Sequence, residues 1–226
     1  MRTDSDGCRL FRPAGAIDRP SHRNFARLLR FLPPCDRRYR DDAFDSGLAV
    51  VSPADGAQLE AAIRASATYD KPIYFRIGRG RDPVVYDSGI SFVFGKAHEH
   101  IAGEELTIIA CGMAVHGALE AAKAMNAQGR SVGVIDMASI KPIDRNAILG
   151  AAARTRKMMT VEEHNVLGGL GAAVAEVLTD EGAGVKLKRH GIYDEYSLIA
   201  PPAHLYAHYK LDGAGIRQVA ESFLDG

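Results

Sequence analysis

Apolar positions in this chain recur in two alternating patterns. Short continuous runs, of the kind that fill a buried strand, are followed after a polar or glycine-bearing turn by stretches with helical spacing. Leu48-Ala49-Val50-Val51 is the first run. Ser52-Pro53-Ala54-Asp55 then offers a cap and a proline suited to a first helical turn, and Leu59, Ala62, Ile63 and Ala67 recur at helical spacing. After Asp70-Lys71-Pro72, the run Ile73-Tyr74-Phe75-Arg76-Ile77 predicts a second strand, followed by the basic loop Gly78-Arg79-Gly80-Arg81-Asp82-Pro83. This is one βαβ unit, too small for a full doubly wound domain. Residues 83–103 read as a connector with strand-like pieces at 84–86 and 91–94.

A second, complete cycle follows. Strands are expected at 106–110, 131–137, 157–161 and 185–190, with helices at 114–127, 145–154, 170–180 and 213–224. Strand alternating with helix predicts an α/β fold with a mostly parallel, doubly wound sheet. The expected organisation is therefore an atypical segment at 1–46, a partial α/β unit at 47–82, a linker at 83–103 and a full α/β domain at 104–226.

Charge changes the picture only at the N-terminus. The whole chain of 226 residues has a formal net charge of zero, so no field of one sign draws nucleic acid or an anionic membrane, and neither is expected as a partner. Residues 1–40, however, carry ten arginines against four aspartates, with no lysine or glutamate. Helical period there is weak except over residues 25–32, and a poorly ordered or atypically encoded segment is the reading adopted. Such a composition is what an out-of-frame reading would give. Cys8, Cys35 and Cys111 are widely spaced and odd in number, which supports neither a disulfide framework nor a metal site, so a reducing cytoplasm is the expected compartment. No apolar run approaches the roughly 20 residues that span a bilayer.

Candidate chemistry gathers at residues 160–175. An apolar run ends in Glu162-Glu163-His164-Asn165, and the cluster Gly168-Gly169-Leu170-Gly171 opens an amphipathic helix. The carboxyl ends of parallel strands are where such sheets meet ligands or partner subunits. Glycines at a helix start can admit a phosphate, but G-G-x-G lacks the order of a dinucleotide fingerprint. Close helix–strand packing is the preferred reading. His116 is expected on an exposed or partner-facing helix surface, and His190, His204 and His208 fall in an irregular stretch with no metal-ligand spacing.

Four motifs, in order, carry a family likeness. Ser52-Pro53-Ala54-Asp55-Gly56, then Pro72-Ile73-Tyr74-Phe75-Arg76-Ile77-Gly78-Arg79-Gly80, then Ile135-Asp136-Met137 with Ile140-Lys141-Pro142-Ile143-Asp144, then Glu162-Glu163-His164-Asn165 with Gly168-Gly169-Leu170-Gly171, resemble the C-terminal part of the transketolase family. The likeness is strongest to separately encoded C-terminal subunits, and it runs from about Leu48 to the C-terminus. Deoxyxylulose-phosphate synthases and the beta chains of two-oxoacid dehydrogenases are more distant.

The resemblance implies a truncated pyrimidine-binding-type domain before the C-terminal domain. It also implies a subunit or fragment of a thiamine diphosphate-dependent enzyme that moves two-carbon ketol units between sugar phosphates. Cofactor and Mg²⁺ would be bound mainly by residues absent from this chain, so an N-terminal transketolase-type subunit is the implied partner, with a homodimer contact through the C-terminal domain and no activity alone. By position, Arg79 matches an arginine that meets the substrate phosphate, a role suited to a planar guanidinium fork. Arg76 matches a second arginine, supporting the loop or an ion pair. Glu163, His164, Gly168, Gly169 and Gly171 fall in a structural or interface hallmark. Arg19-Pro20-Ser21-His22 echoes the family's Gly-Pro-Thr-His and makes His22 a candidate catalytic residue, although the acidic positions expected after it are missing. Alternatives are the beta-type subunit of a two-oxoacid dehydrogenase and a non-catalytic assembly domain or remnant.

Overall fold

The computed structural model describes residues 47–78, 83–195 and 197–226. His22, Arg79 and the segment 1–46 lie outside the described residues.

The run 48–51 forms β1 (Ala49–Val51), fully buried. Asp55 then caps α1 (Gly56–Ser66), its side chain accepting the Gln58 N–H at 2.8 Å, a bond that satisfies one of the helix's orphan donors. β2 (Ile73–Phe75) pairs parallel to β1, completing the expected βαβ unit, though it stops two residues earlier than the apolar run.

The larger sheet is built as the alternation predicts. β4 (Leu106–Ala110), β5 (Val132–Asp136), β7 (Lys157–Asn165) and β8 (Lys186–Ile192) are joined by parallel ladders in the order β5-β4-β7-β8. Between them run α2 (Ala114–Asn126), α3 (Arg145–Arg154) and α4 (Leu170–Asp180), and α6 (Gly213–Asp225) closes the chain. Successive strand residues point to opposite faces. Ile108 and Val134 join the cluster under α2 and α6, whereas Ile109 and Ile135 join the one under α3 and α4. Helices thus cover both faces, and the sheet is doubly wound. Burial of each such isoleucine is worth about 1.5–3 kcal/mol.

Several elements depart from the sequence expectation. The stretches 84–86 and 91–94 form no strand; in the first, the Val85 and Tyr86 N–H groups are taken by the Asp55 side chain, at 2.8 and 2.7 Å, in place of a neighbouring strand. β3 (His98–Ile101), within the expected connector, pairs antiparallel to β5 at the sheet edge. β6 (Ser139–Lys141) pairs antiparallel to β1, so the small sheet, ordered β2-β1-β6, takes a strand from the second cycle. The stretch 191–210, expected to be irregular, holds α5 (Pro202–His208).

The end of α5 carries local strain. Lys210 has a φ of 56°, in the left-handed region that costs a residue with a Cβ roughly 1–2 kcal/mol. The Leu211 N–H bonds the Tyr206 carbonyl at 2.8 Å and the Lys210 N–H bonds that of Ala207 at 3.3 Å, the pattern in which glycine is preferred. Lys210→Gly is therefore expected to stabilise the protein by about 0.5–1 kcal/mol after the entropy cost of glycine, measured as an increase in urea midpoint at constant slope.

Candidate functional site

The carboxyl ends of β4 and β5 do not open on an empty crevice. The Gly112 N–H donates to the Ser52 carbonyl (3.0 Å), and the Ser52 N–H donates to that of Ala138 (2.8 Å). Residues 52–55, all buried, lie across this end of the sheet. The place where a doubly wound sheet usually takes a ligand is here filled in part by the chain's own first unit.

Beside it, β7 runs on through the polar residues expected to form a turn. Its pairing with β8 shifts register between Val161 and Asn165. Glu162 and His164 are buried while Glu163 and Asn165 are half-buried, the two-residue period of a strand. The Glu162 carboxylate is completely enclosed. It accepts the Leu170 N–H at 2.7 Å and the Gly171 N–H at 2.8 Å, so it caps α4 from eight residues upstream. Burial pushes the Glu162 carboxyl up to about 7, opposed by those two N–H donors and by the Arg76 and Arg189 guanidiniums.

The glycines are explained by the same contact. A Cβ on Gly169 would fall on the Glu162 carboxylate, and one on Gly171 would come within 2.8 Å of Thr160 Oγ1 and 2.9 Å of Arg189 Cγ. The helix N-terminus that could have taken a phosphate already holds a carboxylate. The geometry favours the packing reading of the glycine cluster.

Arg76 is brought to the same place. Its Nη2 donates to the Glu163 carbonyl at 2.6 Å, fastening the end of the first unit to β7. His164, 2% exposed, donates from Nδ1 to the Asn165 carbonyl at 2.8 Å. The structure therefore unites Arg76, Glu163, His164 and the glycine cluster. Two other described histidines bond elsewhere. His116 faces Glu120 Oε2 on its own helix at 3.7 Å, and His190 donates from Nε2 to the Lys210 carbonyl at 2.8 Å.

Among the described residues no group of three or more His, Cys, Asp or Glu could hold a metal ion. The fully buried carboxylates make internal bonds: Glu162 to α4, and Asp136, through Oδ2, to the Gln58 amide at 2.5 Å and the Tyr86 hydroxyl at 2.6 Å. Burial pushes the Cys111 thiol well up, which removes it as a nucleophile. The described residues do not fit a Mg²⁺-bound diphosphate. Nor is any described helix long and apolar enough to cross a membrane.

Two features are not found by reading the sequence as above. The Glu162 cap has a faint local signal, a carboxylate in period with a buried strand, a turn's length before a helix that lacks a capping side chain. The Asp136 network has none, because its partners Gln58 and Tyr86 are 78 and 50 residues away.

The transketolase C-terminal domain family matches residues 95–216. One of the subunits of apulose-4-phosphate transketolase from Phocaeicola vulgatus is 39% identical over 179 residues, covering 79% of this chain and 57% of that protein. 1-Deoxy-D-xylulose-5-phosphate synthase 1 of Geobacter sulfurreducens is 36% identical over 181 residues, covering 79% of this chain and 28% of that protein. Among solved structures, a split-gene transketolase in an inactive beta4 tetramer superposes with a TM-score of 0.77 at 34% identity, covering 84% of this chain and 61% of that one. The chain spans about half the length of the curated transketolase subunits it matches.

Proposed function

The chain belongs to the transketolase family through its C-terminal domain, and from that premise we propose that it is the C-terminal subunit of a two-component transketolase acting on sugar phosphates in the cytoplasm. In this reading an N-terminal subunit holds Mg²⁺ and thiamine diphosphate, and the cofactor supplies the carbanion chemistry of two-carbon ketol transfer. This chain brings the arginine loop. Arg79 binds the substrate phosphate through paired charge-assisted hydrogen bonds, and Arg76 holds the preceding backbone in place. Glu162, His164 and the glycines hold β7 and α4 together, and two copies meet through their C-terminal domains.

The observation that carries the reading is the Arg76–Glu163 bond of 2.6 Å. It ties the residue at the end of the β2 run, just before the arginine loop, to the Glu-Glu-His segment, at the strand ends where catalytic chemistry gathers in α/β sheets. The solved split-gene relative, whose beta chains form an inactive tetramer, supports inactivity of this chain alone. Sedimentation of the chain mixed with an N-terminal transketolase subunit, thiamine diphosphate and Mg²⁺ is expected to show one heteromeric species that neither chain forms alone. Two independently sedimenting species would reject the partnership and favour a non-catalytic assembly domain.

A further inference from the structure

Asp55 and Asp136 are both buried, 5% and 1% exposed, and the same two residues bridge them. Gln58 gives its backbone N–H to Asp55 (2.8 Å) and its side-chain amide to Asp136 (2.5 Å). Tyr86 gives its backbone N–H to Asp55 (2.7 Å) and its hydroxyl to Asp136 (2.6 Å). Among the described residues neither carboxylate forms an ion pair. The other titratable groups nearby do not change this. From β3, the His98 and His100 rings lie against the Tyr86 ring, at 5.4 and 5.0 Å between centroids, and Lys123 of α2 acts on His100. Burial pushes His100 down to about 4, so it is neutral at physiological pH. Cys111, after β4, is a buried thiol.

Two like charges that share donors in a water-excluded site, without a cation, are disfavoured by both desolvation and mutual repulsion. We infer that Asp136, bridged to Asp55 by these shared donors, is a proton-binding site, filled as residues 52–58 and 83–90 seat on the large sheet, so that this seating is linked to pH. The seated segments are not peripheral. Ala54 and Tyr86 belong to the core under α2 and α6, and Val85 and Ile90 pack against it. Burial raises the Asp136 carboxyl to about 6, with Asp55 adding to the rise and the Tyr86 and Gln58 hydrogen bonds opposing it.

The sign follows from linkage. A carboxyl whose pKa rises on seating, from 3.8 to about 6, contributes stability that is fully present below 3.8 and is lost as pH climbs through about 6. Between pH 5 and pH 7 the seating equilibrium should weaken about tenfold. The Val85 and Tyr86 amides, which donate to Asp55, report on it directly.

Amide hydrogen exchange on the full chain at pH 5, 6 and 7, expressed as protection factors, tests this. Protection at Val85 and Tyr86 is expected to fall about tenfold from pH 5 to pH 7 in the wild type and to stay flat in Asp136→Asn, which keeps an acceptor oxygen without a titrating proton. Tyr86→Phe removes a bond that favours the ionised form, so its fall should move to higher pH. Changes elsewhere, including those from Glu162, are common to all three proteins and cancel in the comparison. A wild-type profile that is flat, or an Asp136→Asn profile that keeps the wild-type fall, would overturn the inference. Should Asp136→Asn fail to fold, a Tyr86→Phe profile unshifted from the wild type would overturn it equally.

Discussion

Replacing Gly169 by alanine is expected to lower the thermal midpoint by about 6–12 °C, the equivalent of about 3 kcal/mol in a chain of this size. The backbone is not the cause: Gly169 has φ −101° and ψ −152°, an extended conformation open to any residue. The cause is the methyl group, which would occupy the position of the Glu162 carboxylate. Either the carboxylate leaves, and the buried Leu170 and Gly171 N–H groups lose their acceptor, or α4 moves off the sheet with Leu170 and Val174, both fully buried. Orphaned buried donors cost about 1–3 kcal/mol each, and displaced core packing adds to that. Gly150 is the control. It lies within α3, and nothing stands within 4 Å of its would-be Cβ, so Gly150→Ala should be neutral or stabilising by up to about 1 kcal/mol. Differential scanning calorimetry of the two variants decides the matter, and equal midpoints for Gly169→Ala and wild type would refute the cap.

Arg79→Ala in the assembled enzyme should reduce kcat/KM for phosphorylated sugars about 100-fold, while substrates without a phosphate lose less than about threefold. A hundredfold loss corresponds to about 2.7 kcal/mol, the worth of one or two hydrogen bonds between charged groups. Arg79→Lys should recover only part of it, because an ammonium offers a point charge where a guanidinium offers a fork. Steady-state kinetics with matched phosphorylated and unphosphorylated acceptors measures the split. Equal losses for both would remove Arg79 from phosphate recognition and leave it a loop residue.

Legibility in the sequence differs by element, for physical reasons. The strands β4, β5 and β7 are legible because each is largely buried on both faces and so reads as an apolar run, whereas β8, half-exposed at the other sheet edge, is legible from its place in the strand–helix alternation. β3 is not, since His98-Glu99-His100 is polar and sits at the sheet edge, where one side needs no burial. By its apolar run β7 stops at Val161, because Glu162 and His164 look like turn residues. Each is compatible with the interior only through a contact, the α4 amides for one and the Asn165 carbonyl for the other, that the local sequence does not display. Close packing is the general expectation for the glycine cluster, and the structure supplies the specific reason, a carboxylate already seated at the helix start. For Arg76, loop support or an ion pair is the expectation, and its Nη2 donates to the Glu163 carbonyl 87 residues away, a partner that local sequence does not display.

The central claim is that this chain completes an active site it does not itself contain. The most direct test is a coupled ketol-transfer assay on three samples with thiamine diphosphate, Mg²⁺ and sugar phosphates: this chain alone, an N-terminal transketolase subunit alone, and the two together. The account predicts turnover in the mixture and none in either chain alone, with the rate saturating as this chain is titrated to stoichiometry. A mixture as inactive as its parts, or turnover by this chain alone, would contradict it.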